Sequence, residues 1–268
     1  AKETGLHIEY EAILSPPDEF KNTIHKLIAQ KLNGANVTLP FKKEAYELAG
    51  QHSNHAKIAE AVNTLEFKDD QIIGHNTDGI GLVRDLEQNL NINLKSKRIL
   101  LIGAGGAAEG AIYAILEKKP SELTLTNRTI EKSYVIQNKM DVHAKSFDEN
   151  LNVIEIAKCP NQYFDLIINA AAYTAVDKAE SDRETAFRVN ADGVEHLAIL
   201  ANQHAIPLFH ISTDYVFDGE TTVAYKETAT TNPQTVYGAS KLQGEQRLKE
   251  TVAAHIILRT CLLYTSPS

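Results

Sequence analysis

Residues 98–110 read "RILLIGAGGAAEG", an apolar run that opens into Gly103-x-Gly105-x-x-Ala108. Strand, loop and helix follow in the order needed to hold a dinucleotide. Gly103 permits a tight turn, Gly105 lets the backbone approach a pyrophosphate, and a small residue at 108 allows close helix–strand packing. The helix start then offers unpaired N–H groups to phosphate oxygens. Gly103, Ala104, Gly105, Gly106 and Ala107 are therefore assigned to cofactor binding; the plainer reading is an ordinary strand–helix turn. The next strand ends in "TNRT", without the acidic residue that binds a ribose 2′-hydroxyl. Asn127, Arg128 and Thr129 offer a cation and donors suited to a 2′-phosphate, so NADP is expected rather than NAD.

Further along, Tyr237 and Lys241 stand four apart in "VYGASKLQGE", on one face of an expected helix. An ammonium there favours the phenolate and lowers the Tyr237 pKa, so the phenol exchanges a proton near neutral pH. By itself the pair reads more readily as a common accident with a packed tyrosine. Near the start, Lys42 reads as a surface residue opening a helix, and Asp78 in "NTDG" as a helix cap.

The elements that must position these residues fall into two rhythms. A strand is expected over about 6–14, a helix within 15–34, and a short strand at "ANVTLP" stopped by Pro40. A helix near 42–50 is followed by two strands, "AVNTLEF" and "QIIGHNTD", around the turn "KDD", then by a helix over about 78–92. From Lys97 strands alternate with helices: "RILLIG", "ELTLTN", "FDLIINA", "PLFHIST" and "HIILRT". Near-continuous apolar strands between helices imply a parallel sheet covered on both faces. The expected fold is α/β, a Rossmann-like doubly wound sheet preceded by a small, truncated α/β substrate domain, with the boundary near 94.

The chain has 268 residues, enough for two modest domains, with 27 basic and 35 acidic residues and a net charge of −8. That balance argues against a nucleic-acid partner. Its apolar runs are far too short to cross a bilayer. The two cysteines, Cys159 and Cys261, lie about a hundred residues apart and suggest no disulfide framework, which fits the cytoplasm. No metal site is assigned.

"GANVTLPFK", "AVNTL", "NTDG", "GAGGA" and "NRT" occur in the order found in shikimate dehydrogenase, which residues 5–150 closely resemble. The resemblance implies that Lys42 and Asp78 are an acid–base pair beside the substrate hydroxyl, and that Thr38, Asn63 and Asp78 hold the shikimate ring. Moving a hydride from a secondary alcohol needs such a base, and a partly desolvated lysine beside a carboxylate suffices. The family's opening strand and its serine pair for the shikimate carboxylate do not appear. Ala1 is thus expected to mark a truncated reading frame.

In that family "DLIINAT" is usual after this point, but Ala171 stands for the threonine and the chain runs on "AAYTAVDKAESDRETAFRVN". With "HISTDYVFDG" and "VYGASKLQGE", residues 165–260 closely resemble dTDP-4-dehydrorhamnose reductase. This second resemblance implies a catalytic triad of Thr213, Tyr237 and Lys241. Neither that family's "GxxGQxG" start nor its C-terminal substrate part is present. "FDLIINA" suits both families and is the expected point of joining. The last residues, 261–268, "CLLYTSPS", match a translated sequencing-library adapter; a natural strand end and loop would suit the reductase only as far as Tyr264.

Three expectations follow. The first is an NADP-dependent oxidoreductase of the shikimate dehydrogenase type, with 1–94 as substrate domain, 95–260 as a hybrid NADP-binding domain and 261–268 as an artefactual tail. The second is a dTDP-sugar reductase. The third is a non-catalytic NADP-binding chimera in which neither substrate site is complete. The partner in each is a small molecule, and the oligomeric state is left open.

Overall fold

A computed structural model describes residues 9–38, 40–146, 164–221 and 224–260. Cys159, Cys261 and the expected tail at 261–268 lie outside them. The chain packs as two compact units that divide between Thr77 and Asp78.

The first unit holds a four-stranded sheet. Its strands are β1 (Gly34–Asn36), β2 (Gln51–His52), β3 (Thr64–Lys68) and β4 (Gln71–His75), in the order β1-β3-β4-β2. β3 pairs antiparallel with β1 and β4, while β2 lies parallel to β4. The β3–β4 hairpin turns on Asp69 and Asp70, at φ 49° and 60°. Two positive φ values give the turn whose twist matches the flanking strands, and aspartate tolerates them better than most residues. Helix α1 (Phe20–Ala29) buries Phe20, Ile24 and Leu27, spaced so that all three face the core. Phe20 stacks on Phe41 at 4.8 Å, just before α2 (Lys42–Leu48). Helix α3 (Asn54–Ala59) is capped by Ser53, whose hydroxyl accepts from Ala56 N–H at 3.2 Å.

Two expectations are corrected in this unit. The strand expected over about 6–14 is irregular from 9 to 14, residues 6–8 lying outside the described set. Alternation makes a strand only where an edge accepts it, and among the described residues no strand pairs there. Tyr10, Ile13 and Leu14 are exposed, and the Tyr10 hydroxyl reaches Asn36 at 3.1 Å. The strand expected at "ANVTLP" ends at Asn36, because the chain turns at Thr38, whose carbonyl accepts from Phe41 N–H at 3.0 Å.

The second unit is a six-stranded sheet with every pair parallel. Its strands are β5 (Arg98–Ile102), β6 (Glu122–Asn127), β7 (His143–Ser146), β8 (Leu166–Asn169), β9 (Leu208–Thr213) and β10 (His255–Thr260). The order β10-β9-β8-β5-β6-β7 is that of a doubly wound nucleotide-binding sheet, reversing direction between β5 and β8.

Alternate strand residues serve opposite faces. Ile99, Leu101, Leu166 and Ile168 pack with Ile112 and Ile115 of α5 (Gly106–Glu117). Leu100, Ile102 and Ile167 pack with Leu197 of α9 (Gly193–Gln203) and Leu248 of α10 (Val236–Thr251). Each such side chain contributes about 1.5–3 kcal/mol by leaving water. The remaining helices are α6 (Ile130–Gln137), α7 (Val176–Ala179) and α8 (Arg183–Phe187), which runs on as a π turn.

Helix α4 (Asp78–Arg84), extended by a π turn at Asp85–Asn89, lies against α5. At Gly79 a Cβ would come within 2.1 Å of the Gly110 carbonyl oxygen, so glycine is what permits that approach. Packing thus groups 78–89 with the larger sheet, whereas the boundary near 94 marks the change of sequence rhythm.

Candidate functional site

At the switch point, Gly103 leaves β5 with φ +111°, a conformation that side chains rarely adopt. A Cβ there would also meet the Ala170 and Ala171 backbone at 3.0 Å, so the loop lies directly on the end of β8. Gly105 differs: a Cβ would meet nothing within 4 Å. The protein's own packing does not require that glycine, and open space in front of the α5 N-terminus fits a phosphate group approaching closely. Gly106 and Ala107 open α5, and Ala108 is buried against the sheet.

Asn127 fastens this loop. Its Oδ1 accepts from Ala104 N–H at 3.3 Å and its Nδ2 donates to the Thr129 carbonyl at 2.9 Å. The side chain expected to meet a ribose phosphate is therefore engaged in holding β6 to the glycine loop. Arg128 and Thr129 are exposed just beyond the strand.

Two strands away, β9 ends at Thr213, whose hydroxyl accepts from Tyr215 N–H at 3.2 Å and donates to Asp214 at 3.1 Å. Helix α10 starts beside it, capped by Thr235 accepting from Gly238 N–H at 3.0 Å. A Cβ on Gly238 would fall 2.2 Å from the Tyr215 carbonyl oxygen, so glycine lets the helix start rest on that backbone. The Tyr215 and Tyr237 rings meet edge-on at 5.6 Å. Thr213, Tyr237 and Lys241 are thus gathered around the carboxyl end of one strand.

The electrostatics correct one expectation. Burial pushes the Tyr237 phenol above its ordinary value; its hydrogen bond with Thr213 works in the opposite direction, while Asp214 and Tyr215 add to the rise. The expected lowering by Lys241 does not occur, because that side chain is engaged elsewhere. Lys241 is 1% exposed, and its Nζ donates to the Ile211 carbonyl at 2.8 Å and lies 3.2 Å from His210 Nε2. Burial lowers Lys241 to about 8, against an opposing pull from Glu245. His210, fully buried, is held well below its ordinary value by burial and then by the Lys241 charge. Asn169 completes the chain, its Nδ2 lying 3.0 Å from His210 Nδ1.

Asn190 and Glu245 brace α10. Asn190 donates to Ser240 Oγ at 3.0 Å and exchanges bonds with the Tyr173 backbone at 2.8 and 3.1 Å. Glu245 is wholly buried, accepting from Ser212 at 2.6 Å and from Arg259 through two nitrogens at 2.9 and 2.5 Å. Sequence reasoning passed over Asn169, Asn190, His210 and Glu245. The available signal was a polar side chain inside an apolar run, as in "LIIN" and "LFHIST".

In the first unit, Thr38, Lys42 and Asn63 gather at the end of β1. Val37 N–H donates to the Asn63 carbonyl at 2.8 Å, and Val62 N–H to the Lys42 carbonyl at 2.9 Å. The Asn63 side chain bonds Thr77 through its N–H and its hydroxyl, each at 3.0 Å. Thr38 Oγ1 is buried without a hydrogen-bond partner among the described residues. Asp78 is the exposed first residue of α4, in the second unit. Among the described residues no three His, Cys, Asp or Glu side chains are placed to share a metal ion, and no helix is long and apolar enough to cross a membrane.

Residues 97–268 match the family model described as the RmlD substrate binding domain, and residues 1–65 the shikimate dehydrogenase substrate binding domain. The NADP(+) shikimate dehydrogenase of Laribacter hongkongensis is 42% identical over 176 residues, covering 64% of this chain and 61% of that protein. That of Legionella pneumophila is 41% identical over 187 residues, covering 70% and 66%. The chain spans about three fifths of the length of the curated relatives it matches. Among solved structures, an Ael1 enzyme from Pseudomonas putida aligns with TM-score 0.63 at 26% identity, covering 97% of this chain and 78% of that one. Shikimate dehydrogenase from Aquifex aeolicus aligns with TM-score 0.61 at 26% identity, covering 91% and 72%.

Proposed function

We propose that this chain, which belongs to the RmlD substrate binding domain family through residues 97–268, is an NADP-dependent oxidoreductase interconverting a secondary alcohol and a ketone, with shikimate as the leading substrate. Bound NADP supplies or accepts the hydride. The chain's own residues hold the cofactor's phosphates at the Gly103–Ala107 loop, with Arg128 and Thr129 beside the ribose. Lys42 and Asp78 move the hydroxyl proton, and Thr38 and Asn63 orient the ring.

The observation that carries this reading is Thr38 Oγ1, a buried hydroxyl without a partner among the described residues. Leaving it so costs about 1–3 kcal/mol, which a substrate hydroxyl bound there would offset. The similarity to NADP(+) shikimate dehydrogenases at about 40% identity supports the same substrate. Shikimate-dependent reduction of NADP+ by the purified chain, lost in Thr38→Val, is the expected result. Tight NADP+ binding with no turnover overturns it.

A second reading rests on Thr213, Tyr237 and Lys241, which one unit gathers around the end of β9, with the buried amine on the same helix as the phenol. It makes the chain a reductase of dTDP-4-dehydrorhamnose, with Tyr237 as proton donor. Absence of NADPH oxidation with that sugar nucleotide rules it out.

We further infer that the two regions were joined near "FDLIINA", with functional parts at 1–94 and 95–260 and a cytoplasmic location. Uninterrupted DNA reads across codons 140–190 test the join: two separate genes establish it, and one continuous gene in a cell makes the chain a natural protein.

A further inference from the structure

Between Thr213, at the end of β9, and Tyr237, in the first turn of α10, the chain makes one excursion and returns. Its neck is closed: Asn232 N–H donates to the Val216 carbonyl at 2.9 Å, and a Cβ on Gly238 would lie 3.1 Å from Pro233 Cβ. Beyond the neck lie two arms, 217–219 and 225–232, joined through their side chains. The Phe217 and Tyr225 rings stack at 4.3 Å, 5° from parallel. The Tyr225 hydroxyl donates to Asp218 Oδ1, and Asn232 Nδ2 donates to Asp218 Oδ2 at 3.4 Å. Asp218 Oδ1 also accepts from Glu220 N–H at 3.2 Å, which turns the first arm back on itself. The bond from Tyr225 holds the Asp218 carboxyl below its usual range, and the carboxylate holds the Tyr225 phenol above its own. Donor and acceptor therefore keep their protonation states through neutral pH.

Arg259 of β10 fastens this clasp to the sheet. Its guanidinium lies 5.1 Å from the Phe217 ring centre, and its Nη1 donates to the Glu227 carbonyl at 3.3 Å, so it has one contact on each arm. A cation over an aromatic face gains as water is excluded, and Arg259 is 16% exposed. Its other nitrogens hold the wholly buried Glu245 of α10, the helix that carries Tyr237. One guanidinium thus ties both arms to the helix of the proton donor.

We propose that Asp218, Tyr225 and Arg259 are positioning residues for the Thr213–Tyr237 pair: by locking the two arms they close the excursion, and so hold the hydroxyl at the strand end and the phenol at the helix start in one spacing. The proposal rests on the reductase reading of Tyr237. Asn232 couples clasp to neck, because its side chain holds Asp218 while its backbone holds Val216. With the arms released the neck opens, and the Tyr237 ring drifts from the Tyr215 ring that it meets edge-on. A displacement of about 1 Å at a reacting group can cost about 10²-fold in rate.

The test leaves Arg259 in place, since its loss would strand Glu245, and breaks the clasp at its outer end in the full chain. Tyr225→Phe keeps the stack on Phe217 and removes the bond to Asp218; Tyr225→Leu removes both. Trypsin cleavage after the exposed Lys226 reads the arms. It should quicken about fivefold in Tyr225→Phe and about tenfold or more in Tyr225→Leu, because cleavage tracks the open population. The Tyr237 ring-proton NMR shifts, taken without substrate and assigned against Tyr237→Phe, read the spacing to Tyr215 and should move in the same order. In NADPH oxidation with dTDP-4-dehydrorhamnose, kcat should fall about tenfold or more in Tyr225→Leu. KM for NADPH should not change, because the Gly103–Ala107 loop lies two strands away. Tyr225→Phe carries the test alone if Tyr225→Leu does not fold. Faster cleavage with unchanged Tyr237 shifts makes the clasp a local feature of the loop and overturns the inference, as does unchanged cleavage. Absence of wild-type turnover while cleavage and shifts move together removes only the reductase reading. Wild-type kcat in a variant with opened arms removes only this inference.

Discussion

The two lysines assigned to proton transfer sit in opposite surroundings. Lys42 opens a seven-residue helix and is half-buried. Lys241 lies in the middle of a sixteen-residue helix, 1% exposed, with both its contacts on a sheet strand. The contrast extends to the two units. Among the described residues the first buries one polar side chain, Asn76, whereas the second buries eleven, from Thr124 to Glu245. A wide parallel sheet covered on both faces can enclose polar groups and satisfy them. A sheet whose strands run from two to five residues leaves such groups near its rim.

The comparison breaks most visibly in turnover. Tyr237→Phe should lower dTDP-sugar reduction by about 10²–10⁴-fold and leave shikimate oxidation intact, while Lys42→Ala should do the reverse, both read by NADPH absorbance. One variant abolishing both activities would show a shared site.

Next comes the cost of burial. Glu245→Ala strands Arg259 and Ser212, and should cost about 3–5 kcal/mol in urea denaturation. A loss under 1 kcal/mol would mean the second unit tolerates its buried charges as easily as a surface does.

Lys241 sharpens the contrast through pH. Its folded value is about 8 against an ordinary 10.5, so between them the unfolded chain binds the extra proton. Stability relative to Lys241→Met should therefore rise from pH 8 to 10.5, by up to roughly 3 kcal/mol, with the full penalty present below 8. Denaturation curves across that range decide it, and a flat difference contradicts it.

The smallest effect belongs to the entry end of the two central strands, β5 and β8. Asp165 bonds the Arg98 backbone N–H at 2.8 Å and its guanidinium at 3.3 Å, but both side chains are about one-third exposed. Asp165→Asn should cost about 0.2–1 kcal/mol by the same denaturation assay. A larger loss would place that pair with the buried groups.

Legibility in the sequence followed the same divide. β6 and β10 match "ELTLTN" and "HIILRT" residue for residue. The glycine loop fell where its spacing put it. The strand expected at 6–14 failed over 9–14 since alternation says nothing about an available edge, and β2, α3 and β7 were too short to stand out. The bonds of the Asn127 amide, to Ala104 N–H and the Thr129 carbonyl, were not readable from its place in "TNRT". His210 and Asn169 were invisible as a pair, for their contact joins residues 41 positions apart.

The seat of Gly103 on Ala170 and Ala171 has a consequence for how such a chain can arise. β8 enters the centre of the sheet as four apolar-to-neutral residues, "LIIN", paired in register with β5 on one side and β9 on the other. The demands at its end are spatial: the loop needs a bare backbone and small neighbours there. A strand meeting those demands is a standard fitting, whatever lineage supplied it. The sheet checks size and register and does not proofread ancestry.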